Sequence, residues 1–557
     1  MSGYDVAVIG AGPAGLAAAV SALERGARVL CVDAGAQPGG QFWRHRSEAV
    51  MPDDGALHHG WATYRALRAR FDAGAAAGAL TYLPGTSVWM VQQVPGGGFE
   101  LFVTDTVSGA AVQTRSTAQS GSAAQGGAAG WGGQPAATAP LRAATLVLAT
   151  GGYDRQVPVP GWDLPGVMAA GGIQATIKGS GVLPGRRVLL AGTGPFLLPV
   201  AANVLAADGE VVAICEAASL TGWLPGVGAA LGVPGKAVEG AGYVRHLLRH
   251  RVPYRRSTVL TGIEEADGGT LRATTVRVDA DGHARPGTER VIEDLDVVGL
   301  GVGFTPQVEL GLQLGAGTRV GEDGSLILLA DAAQESTVPG LYVAGEACGV
   351  GGAVLSVTEG HVAGRCAAVA SGARALVAGD GARGADEDAA VQEAGAEAPA
   401  GPAAASGTDH GPTAASCTGA DHGPTAAEAR ILRRQRAFAA AMHAAHPVPP
   451  GWQDRLAPDT TVCRCEEVTA GEILAARQDA HASDARAAKQ VTRAGMGWCQ
   501  GRMCGFATAC LAAGAEPGAE PGADGLADAA RRPVAAPVTL AALAADPDPH
   551  DNADRAE

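Results

Sequence analysis

Short apolar runs alternate with helix-like stretches through the first two thirds of the chain. Residues 5–10 (DVAVIG) predict a buried parallel strand, the stretch from Pro13 to about Arg25 predicts a helix, and residues 28–33 (RVLCVD) predict a second strand. A strand, a helix and a second strand in this order indicate a βαβ unit at the start of an α/β domain.

The pattern begins again at residues 187–216, where the strand RVLLAG precedes a helix after Pro195 and the strand EVVAICE. Further apolar strands are predicted at residues 146–150, 294–300 and 341–345. The chain therefore contains two such units, with strands between and after them.

Three stretches interrupt this regularity. Residues 107–139 predict a flexible insert, residues 372–427 a disordered linker in which DHGPTAA occurs twice, and residues 513–557 a disordered tail. His410 and His422 of the linker can form a metal-binding tract or be solvated. Their surroundings offer nothing to hold a coordination geometry.

Charge and composition narrow the functional classes. The 557 residues carry a net charge of −15, so no nucleic-acid partner is expected, because phosphate binding needs clustered Lys and Arg. The chain opens on a strand without a secretory signal, and no apolar run reaches membrane-spanning length. We expect a cytoplasmic protein without membrane insertion, whose ten cysteines serve metal or redox chemistry or core packing.

The first candidate site is the sequence GAGPAG, in which Gly10, Gly12 and Gly15 lie between the first strand and its helix. Gly10 permits a tight turn, Gly12 lets the backbone approach a pyrophosphate, and Gly15 lets the helix pack closely on the strand. The helix N-terminus offers free amides to the phosphates. Asp33 ends the second strand, where a carboxylate can accept a hydrogen bond from a ribose hydroxyl.

A degenerate version of this motif occurs at residues 192–197 (GTGPFL). Gly192 and Gly194 are present, but Leu197 replaces the third glycine and would hold the helix further from the strand. Glu216 is placed to meet a ribose hydroxyl if NAD(P)H binds. Two alternatives stay open: a working NAD(P)H site, or a domain whose nucleotide site is empty or holds another ligand.

Two later segments resemble those of glutathione-reductase-type flavoproteins. ATG at residues 149–151 follows a strand, and LYVAGE at residues 341–346 precedes GVGGA and a helix. The resemblance implies that the first site holds FAD. The residues that it implies for FAD contacts are Gly10, Gly12, Pro13, Ala14, Gly15, Asp33, Ala34, Gly40, Gln41, Val88, Ala149, Thr150, Gly151, Gly345, Glu346, Gly352 and Ala353.

Glu346 departs from the resemblance, since an Asp usually binds the ribityl chain at this place, and a solvated loop acid is the alternative. Gly352 and Ala353 would start a helix aimed at the flavin pyrimidine edge, where its N-terminus stabilises negative charge. His361 on that helix can approach the flavin or simply pack. We identify no catalytic acid–base constellation, and the absence of a Cys-x-x-Cys pair in this half disfavours a disulfide reductase.

Four cysteines near the C-terminus form a compact pattern. Cys463 and Cys465 are C-x-C, and Cys499 and Cys504 are C-x4-C. Four thiolates on two short loops can enclose a metal ion or an iron–sulfur cluster. Structural zinc usually prefers C-x2-4-C pairs, which the C-x-C half does not match, so zinc and ordinary packing are the alternatives.

The segments CRCEEVT and TRAGMGWCQGRMC are similar to a bacterioferritin-associated-ferredoxin type [2Fe-2S] domain. Together with LATGGYDRQVPVPGWDLPG and GFTPQVELGLQLG, they resemble the FAD-binding A or alpha subunits of opine oxidases, dye-linked proline and hydroxyproline dehydrogenases, and hydrogen cyanide synthase. The resemblance covers residues 1–372 and 428–512. It implies a [2Fe-2S] cluster on the four cysteines.

In that group a separate subunit of the D-amino-acid-oxidase type usually oxidises the amine, and a chain like this one relays electrons. The resemblance implies such a partner, and a small ferredoxin-like subunit is a further candidate. The substrate would be a secondary amine or imino acid such as an opine, proline, hydroxyproline or glycine. A self-sufficient NAD(P)H-dependent reductase and a non-catalytic nucleotide-binding scaffold stay open as alternatives.

The predicted fold class is α/β, with two Rossmann-like dinucleotide-binding domains, of which the FAD domain is discontinuous, and a small C-terminal helical [2Fe-2S] domain. The predicted division is 1–158 and 291–371 for the FAD domain, 159–290 for the second domain, 372–427 for the linker, 428–458 for a helical connector, 459–512 for the [2Fe-2S] domain and 513–557 for the tail.

Overall fold

The computed structural model describes residues 3–48, 55–106, 140–373, 423–514 and 521–539. The predicted insert at residues 107–139, most of the predicted linker with its two histidines, and the end of the predicted tail lie outside these residues. Within the described ranges, no helix has both the length and the apolar character needed to span a bilayer.

The first domain begins with the predicted βαβ unit. Its elements in this part are β1 (Tyr4–Ile9), α1 (Pro13–Glu24), β2 (Val29–Val32), α2 (Trp61–Ala76), β3 (Leu80–Leu83), β4 (Thr86–Gln93), β5 (Phe99–Asp105), β6 (Leu141–Leu148) and β7 (Gly152–Asp154). Strands β2 and β6 run parallel to β1 on its two sides, and β4 and β5 form an antiparallel extension. The strands β1 and β2 are buried because their Val, Ile and Leu side chains meet helices on one face and strands or loops on the other.

The second domain follows a short crossover. Its elements are β8 (Val167–Ala169), α3 (Ala170–Ser180), β9 (Arg187–Gly192), α4 (Leu197–Ala206), β10 (Glu210–Glu216), α5 (Val227–Leu231), α6 (Pro234–Arg249), β11 (Tyr254–Arg256), β12 (Thr258–Glu265), β13 (Leu271–Arg277), β14 (Arg290–Leu295) and β15 (Val297–Gly301). A parallel sheet of order β11-β10-β9-β15-β8 packs against the antiparallel sheet β12-β13-β14.

The predicted end of the second domain at residue 290 is wrong. Strand β15 lies between β9 and β8 and runs parallel to both, so this domain extends to Gly301. The apolar pattern of this strand fits a buried position in either sheet, and only the pairing assigns it.

The chain then returns to the first domain through β16 (Phe304–Pro306), which pairs with β7. The elements that follow are α7 (Glu309–Gln313), β17 (Thr318–Val320), β18 (Leu326–Leu328), β19 (Leu341–Val343), a 3₁₀ helix (Gly345–Cys348) and α8 (Ala353–Ala370). Strand β19 runs parallel to the end of β6, which gives the parallel core the order β3-β2-β1-β6-β19. The first domain is therefore discontinuous, as predicted.

Helices α1 and α8 touch through backbone. A Cβ atom on Gly360 would collide with the carbonyl oxygen of Ala14, and a Cβ on Gly364 would collide with that of Ala18. Because residues four apart lie on one helix face, this pair of glycines lets α8 approach α1 along a continuous stripe. The contact fixes the two helix N-termini that face the candidate cofactor site.

The C-terminal part contains α9 (Ala426–Ala445), a 3₁₀ helix (Gln453–Arg455), β20 (Thr461–Cys463), β21 (Val468–Thr469), α10 (Ala470–Ala480), α11 (Ala485–Thr492), α12 (Gly505–Ala513) and α13 (Ala523–Ala530). Capping boxes start α9 at Thr425 with Glu428, and α10 at Thr469 with Glu472. The cysteine-bearing segment is attached to the second domain, since the Trp162 indole donates to the carbonyl of Thr461 at 2.6 Å.

The prediction of a disordered tail from residue 513 is wrong for residues 521–539. Helix α13 buries Leu526 and Ala527 in the first domain, and the amide of Ala535 donates to the carbonyl of Trp89 at 2.7 Å. The Ala- and Pro-rich composition concealed this segment, because its few apolar side chains gain a partner surface only in the folded protein.

We predict that Gly364→Ala weakens the fold, because the added methyl group must push α8 away from the α1 backbone. The free energy of unfolding should fall by about 1–3 kcal/mol, as expected for overpacking. Urea unfolding followed by circular dichroism measures it, with Gly228→Ala in α5 as control, since a Cβ there meets nothing within 4 Å. Equal stability of both variants and wild type would contradict the close α1–α8 contact.

Candidate functional site

A continuous cavity of about 1960 Å³ runs from the first glycine loop to the second. Sites for small molecules usually measure about 300–1,000 Å³, so this one has room for a dinucleotide and more. Its wall combines segments of the first domain, the second domain, α9 and the C-terminal segment.

The first glycine loop is built by close backbone contacts. Gly10 has φ +100°, and a Cβ there would collide with the carbonyl oxygen of Ala149, while a Cβ on Gly15 would collide with that of Gly10. A Cβ on Gly40 would lie 2.7 Å from the Cα of Gly12, so the two loops touch. Helix α1 therefore starts directly beneath the end of β1, with its N-terminus at the cavity.

Asp33 lies at the cavity with its carboxylate held by backbone. The amides of Ala11 and Gly35 donate to its two oxygens, the latter at 2.5 Å. Burial raises the pKa of the Asp33 carboxyl, while these two amides and the charge of Arg44 oppose that rise. The carboxylate can still accept a hydrogen bond from a ribose hydroxyl in the cavity.

The cavity brings together most of the residues implied for FAD contacts. Gly15 lies behind the wall within α1, whereas the lining includes Gly10, Gly12, Pro13, Ala14, Asp33, Ala34, Gly40, Gln41, Val88, Ala149, Thr150, Gly151, Gly345, Glu346, Gly352 and Ala353. Helix α8 begins at Ala353 with its N-terminus at this wall. The residues present fit FAD: two helix N-termini, a glycine cradle and a carboxylate face one elongated cavity.

Glu346 lies at the cavity beside two other acids. Burial, together with the nearby charges of Asp154 and Asp323, raises its carboxyl pKa to about 7. Its carboxylate faces Gly152, where a Cβ would lie 3.2 Å from Oε2. The residue is thus a partly buried acid at the cavity wall.

His361 does not line the cavity. Its Nδ1 lies 2.7 Å from the hydroxyl of Ser21 on α1, and burial lowers the pKa of the imidazole. Of the two interpretations of this residue, the contact favours packing between α1 and α8.

The second glycine loop differs from the first at its third position. A Cβ on Gly192 would collide with the carbonyl oxygen of Gly301, which reproduces the tight turn. Leu197 is fully buried and starts α4, and a Cβ on Gly301 would lie 2.9 Å from its side chain. Gly194 lines the cavity, whereas Gly192 does not.

Glu216 accepts hydrogen bonds from three groups, and a histidine lies beside it. The amides of Gly194 and Ala218 donate to its carboxylate at 3.1 Å and 3.0 Å, in the same manner as the amides at Asp33. Two side chains are added here: the Tyr254 hydroxyl donates at 3.3 Å, and Nδ1 of His446 lies 3.5 Å away.

His446 reaches Glu216 from outside the second domain, because it directly follows α9. The indole N–H of Trp223 donates to its Nε2 at 3.2 Å. An indole is a donor only, so Nε2 of His446 accepts this bond, whereas its Nδ1 is buried and makes no hydrogen bond. Glu216 is 2% exposed and does not line the cavity, whereas His446 does.

The four predicted cysteines come together as two pairs. The Cys504 thiol donates to Cys463, and Cys465 hydrogen-bonds with Cys499. The amide of Gly495 donates to the Cys463 sulfur at 3.5 Å. Cys463 and Cys504 are buried, whereas Cys465 is exposed.

This pairing fits a two-iron cluster better than one zinc ion. Around zinc, four sulfurs lie at about 2.3 Å from the metal, so all of them lie about 3.8 Å from one another. Among the described residues, no three of these four sulfurs lie mutually within 4.8 Å. Two cysteines for each of two irons is the arrangement that [2Fe-2S] ligation requires.

Cys463 is prepared to be a thiolate. The hydrogen bond from Cys504, assisted by the Gly495 amide, lowers the pKa of the Cys463 thiol to about 5. The same bond raises the pKa of the Cys504 thiol, so it favours the thiolate at Cys463 and the thiol at Cys504.

The cysteine loop also forms part of the cavity wall. Arg502, between Cys499 and Cys504, lines the cavity together with Glu309, Asp154 and Asp323. Sequence reasoning missed these charged residues. The one available signal was that the segments containing Glu309 and Arg502 both lie within motifs that resemble the flavoprotein group.

Two family models match the chain. The model described as pyridine nucleotide-disulphide oxidoreductase matches residues 4–367. The model described as BFD-like [2Fe-2S] binding domain matches residues 461–511, which include all four cysteines of the site.

The chain is similar to one component of each of three curated enzymes. The A subunit of opine oxidase from Rhizobium meliloti is 29% identical over 92% of this chain and 93% of the relative. The HcnB subunit of hydrogen cyanide synthase from Pseudomonas aeruginosa is 28% identical over 89% and 90%. The alpha subunit of sarcosine oxidase from Corynebacterium sp. is 29% identical over 66% of this chain and 33% of the relative.

Among solved structures, L-proline dehydrogenase from P. horikoshii superposes with a TM-score of 0.57 at 16% identity. The match covers 97% of this chain and 79% of that one. At this identity the likeness concerns the fold.

We predict that Cys499→Ser removes most of the iron and acid-labile sulfide but leaves bound FAD, because the cysteine pairs and the glycine cradle belong to different segments. Cys510→Ala is the matched control, since Cys510 is buried in the same domain outside the two pairs. Metal analysis and flavin absorbance measure both contents. Loss of FAD together with iron would contradict two separate cofactor sites.

We predict that Glu346→Gln changes how stability depends on pH. The pKa of Glu346 is raised to about 7 in the fold, so the wild type holds a proton there that the unfolded chain releases above about pH 4.5. Wild-type stability should fall relative to the variant as pH rises from about 5 to 8.

Urea unfolding of the flavin-free protein at these two pH values tests this, with the exposed Glu322→Gln as control. A pH-independent difference between the Glu346 variant and wild type would count against the raised pKa.

Proposed function

The chain belongs to the pyridine nucleotide-disulphide oxidoreductase family and carries a BFD-like [2Fe-2S] domain, and on this premise we propose that it is the electron-relay subunit of a heteromeric enzyme that oxidises a secondary amine or imino acid. The α/β fold and the resemblance predicted from the motifs are confirmed. The chain is an FAD-dependent oxidoreductase with a [2Fe-2S] domain. Its place in a heteromeric enzyme, its substrate class and its partner are the proposal.

The observation that carries the proposal is the shared wall of the two cofactor sites. Arg502 lies within the C-x4-C loop and lines the same cavity as Asp33 and the first glycine loop. A flavin can take up two electrons together and release them one at a time, and a [2Fe-2S] cluster accepts one, so adjacent sites of these kinds suit a relay.

The residues of the chain have binding and positioning tasks in this proposal. Gly12 and the N-terminus of α1 hold the FAD pyrophosphate, Asp33 holds a ribose, and the N-terminus of α8 stabilises negative charge at the flavin ring. Cys463, Cys465, Cys499 and Cys504 hold the cluster. A relay requires no acid–base residue of its own, which agrees with the lack of an identified catalytic group.

The names of the relatives support a heteromeric amine oxidase. They are subunits of opine oxidase, hydrogen cyanide synthase and sarcosine oxidase. We therefore infer a partner of the D-amino-acid-oxidase type that takes a hydride from the carbon bonded to the amine nitrogen, with this chain passing the electrons onward.

The surroundings of Glu216 support the relay over a self-sufficient NAD(P)H-dependent reductase. Its carboxylate already accepts from two amides and Tyr254, and His446 of the connector faces it. Glu216 is also buried outside the cavity lining, so a nucleotide ribose in the cavity would not face it.

The test is an anaerobic titration of the purified chain, loaded with FAD and iron, followed by its visible spectrum. NADH alone should leave the flavin oxidised, because the Glu216 carboxylate is buried against His446 and does not face the cavity. Adding the amine-oxidising partner and an imino acid should then bleach the flavin band. Rapid bleaching by NADH alone would instead support the self-sufficient NAD(P)H-dependent reductase. If neither NADH nor the partner with its imino acid bleaches the flavin, the non-catalytic scaffold is the remaining function.

A further inference from the structure

A buried ion-pair group joins the cysteine loop to the flavin cavity. Glu309, in the first turn of α7, is 5% exposed and lines the cavity. Its Oε1 lies 2.8 Å from Nη1 of Arg532 and 3.4 Å from Nε of Arg502. Burying one carboxylate between two guanidinium groups costs desolvation free energy unless the three groups are well hydrogen-bonded. Stability alone therefore does not explain this contact.

Both arginines act on the same loop. Arg502 is itself part of the loop 499–504, and it donates to the carbonyl of Ala535. Arg532 donates through Nε to the carbonyl of Gln500, so it clamps the loop from the C-terminal segment. Glu309 is therefore the residue of the first domain that pairs with both Arg502 and Arg532.

The loop needs such support because of its backbone. Gln500 and Gly501 have φ +52° and +79°, and Gln500 is a non-glycine residue in the left-handed region. Its side-chain Oε1 is buried without a hydrogen-bond partner. Local strain of this kind persists only where surrounding contacts impose it.

We propose that Glu309 is a positioning residue that, through Arg502 and Arg532, holds the cluster-binding loop 499–504 against the flavin cavity. The proposal rests on the relay function above. Its subject is how far apart the two cofactor sites lie and how firmly that separation is held. The transfer itself moves one electron to one ferric iron and forms or breaks no covalent bond. A relay needs a fixed separation between its two sites. The contacts that support a site determine how accurately it is held in place.

Glu309→Gln keeps the size of the side chain and removes the charge that both arginines share. Amides of the loop 499–504 should exchange hydrogen at least about ten-fold faster than in the wild type, because the loop opens more often. FAD and iron contents should remain at wild-type levels. Electron transfer from photoreduced flavin to the cluster, followed anaerobically by absorbance and by electron paramagnetic resonance, should slow at least about ten-fold.

Glu100→Gln is the matched control. Glu100 is also a buried carboxylate of the first domain paired with an arginine, Arg142, but in β5, away from the cysteine loop. It should leave loop exchange and the transfer rate unchanged. Glu309→Asp keeps the charge and should recover part of both quantities, which a general loss of stability would not produce.

Wild-type loop exchange and transfer rates in Glu309→Gln would overturn the proposal. If that variant does not fold, Arg532→Gln removes one clamp, leaves Arg502 paired, and should show the same changes at smaller size. Failure of the relay function appears separately, as a wild-type protein whose photoreduced flavin never reduces the cluster. In that case the exchange measurement still decides whether Glu309 holds the loop.

Discussion

The cofactor cavity depends on how closely the backbone approaches itself around Gly10 and Gly15. The carbonyl of Gly10 lies where any Cβ of residue 15 would have to be, and the end of β6 lies where a Cβ of residue 10 would be. Helix α1 can therefore start immediately under the sheet edge, with its N-terminus at the cavity. The contact of α1 with α8 through Gly360 and Gly364 extends the same constraint to the second helix N-terminus.

The two glycine loops of this chain differ because that constraint is relaxed in the second one. Gly192 keeps the tight turn, but the buried Leu197 takes the third position, and α4 begins at that leucine. Both acids at the following strand ends, Asp33 and Glu216, accept from backbone amides. The end of α9 brings His446 to Glu216, whereas Asp33 remains at the open cavity. The acid that follows each glycine loop thus faces the cavity in the first domain and the connector in the second.

The cysteine domain is structurally continuous with the flavin domain. Its sulfurs form the pairs Cys463 with Cys504 and Cys465 with Cys499, and its loop contributes Arg502 to the flavin cavity. Helix α13 and the segment after it fill the space between the two domains. Contacts from three distant parts of the chain therefore determine how the two cofactor sites face each other.

Local periodicity and short spacings were enough to predict the βαβ units, the first glycine cradle and the four cysteines, because a single chain displays such features directly. Tertiary contacts were needed to assign β15 to the second domain, to fold α13, to bring His446 over Glu216, and to join Glu309 to Arg502 and Arg532. Each of these depends on partners far away in the chain. A buried strand, a short weakly apolar helix and an isolated charge carry no local mark of the partner that makes them stable.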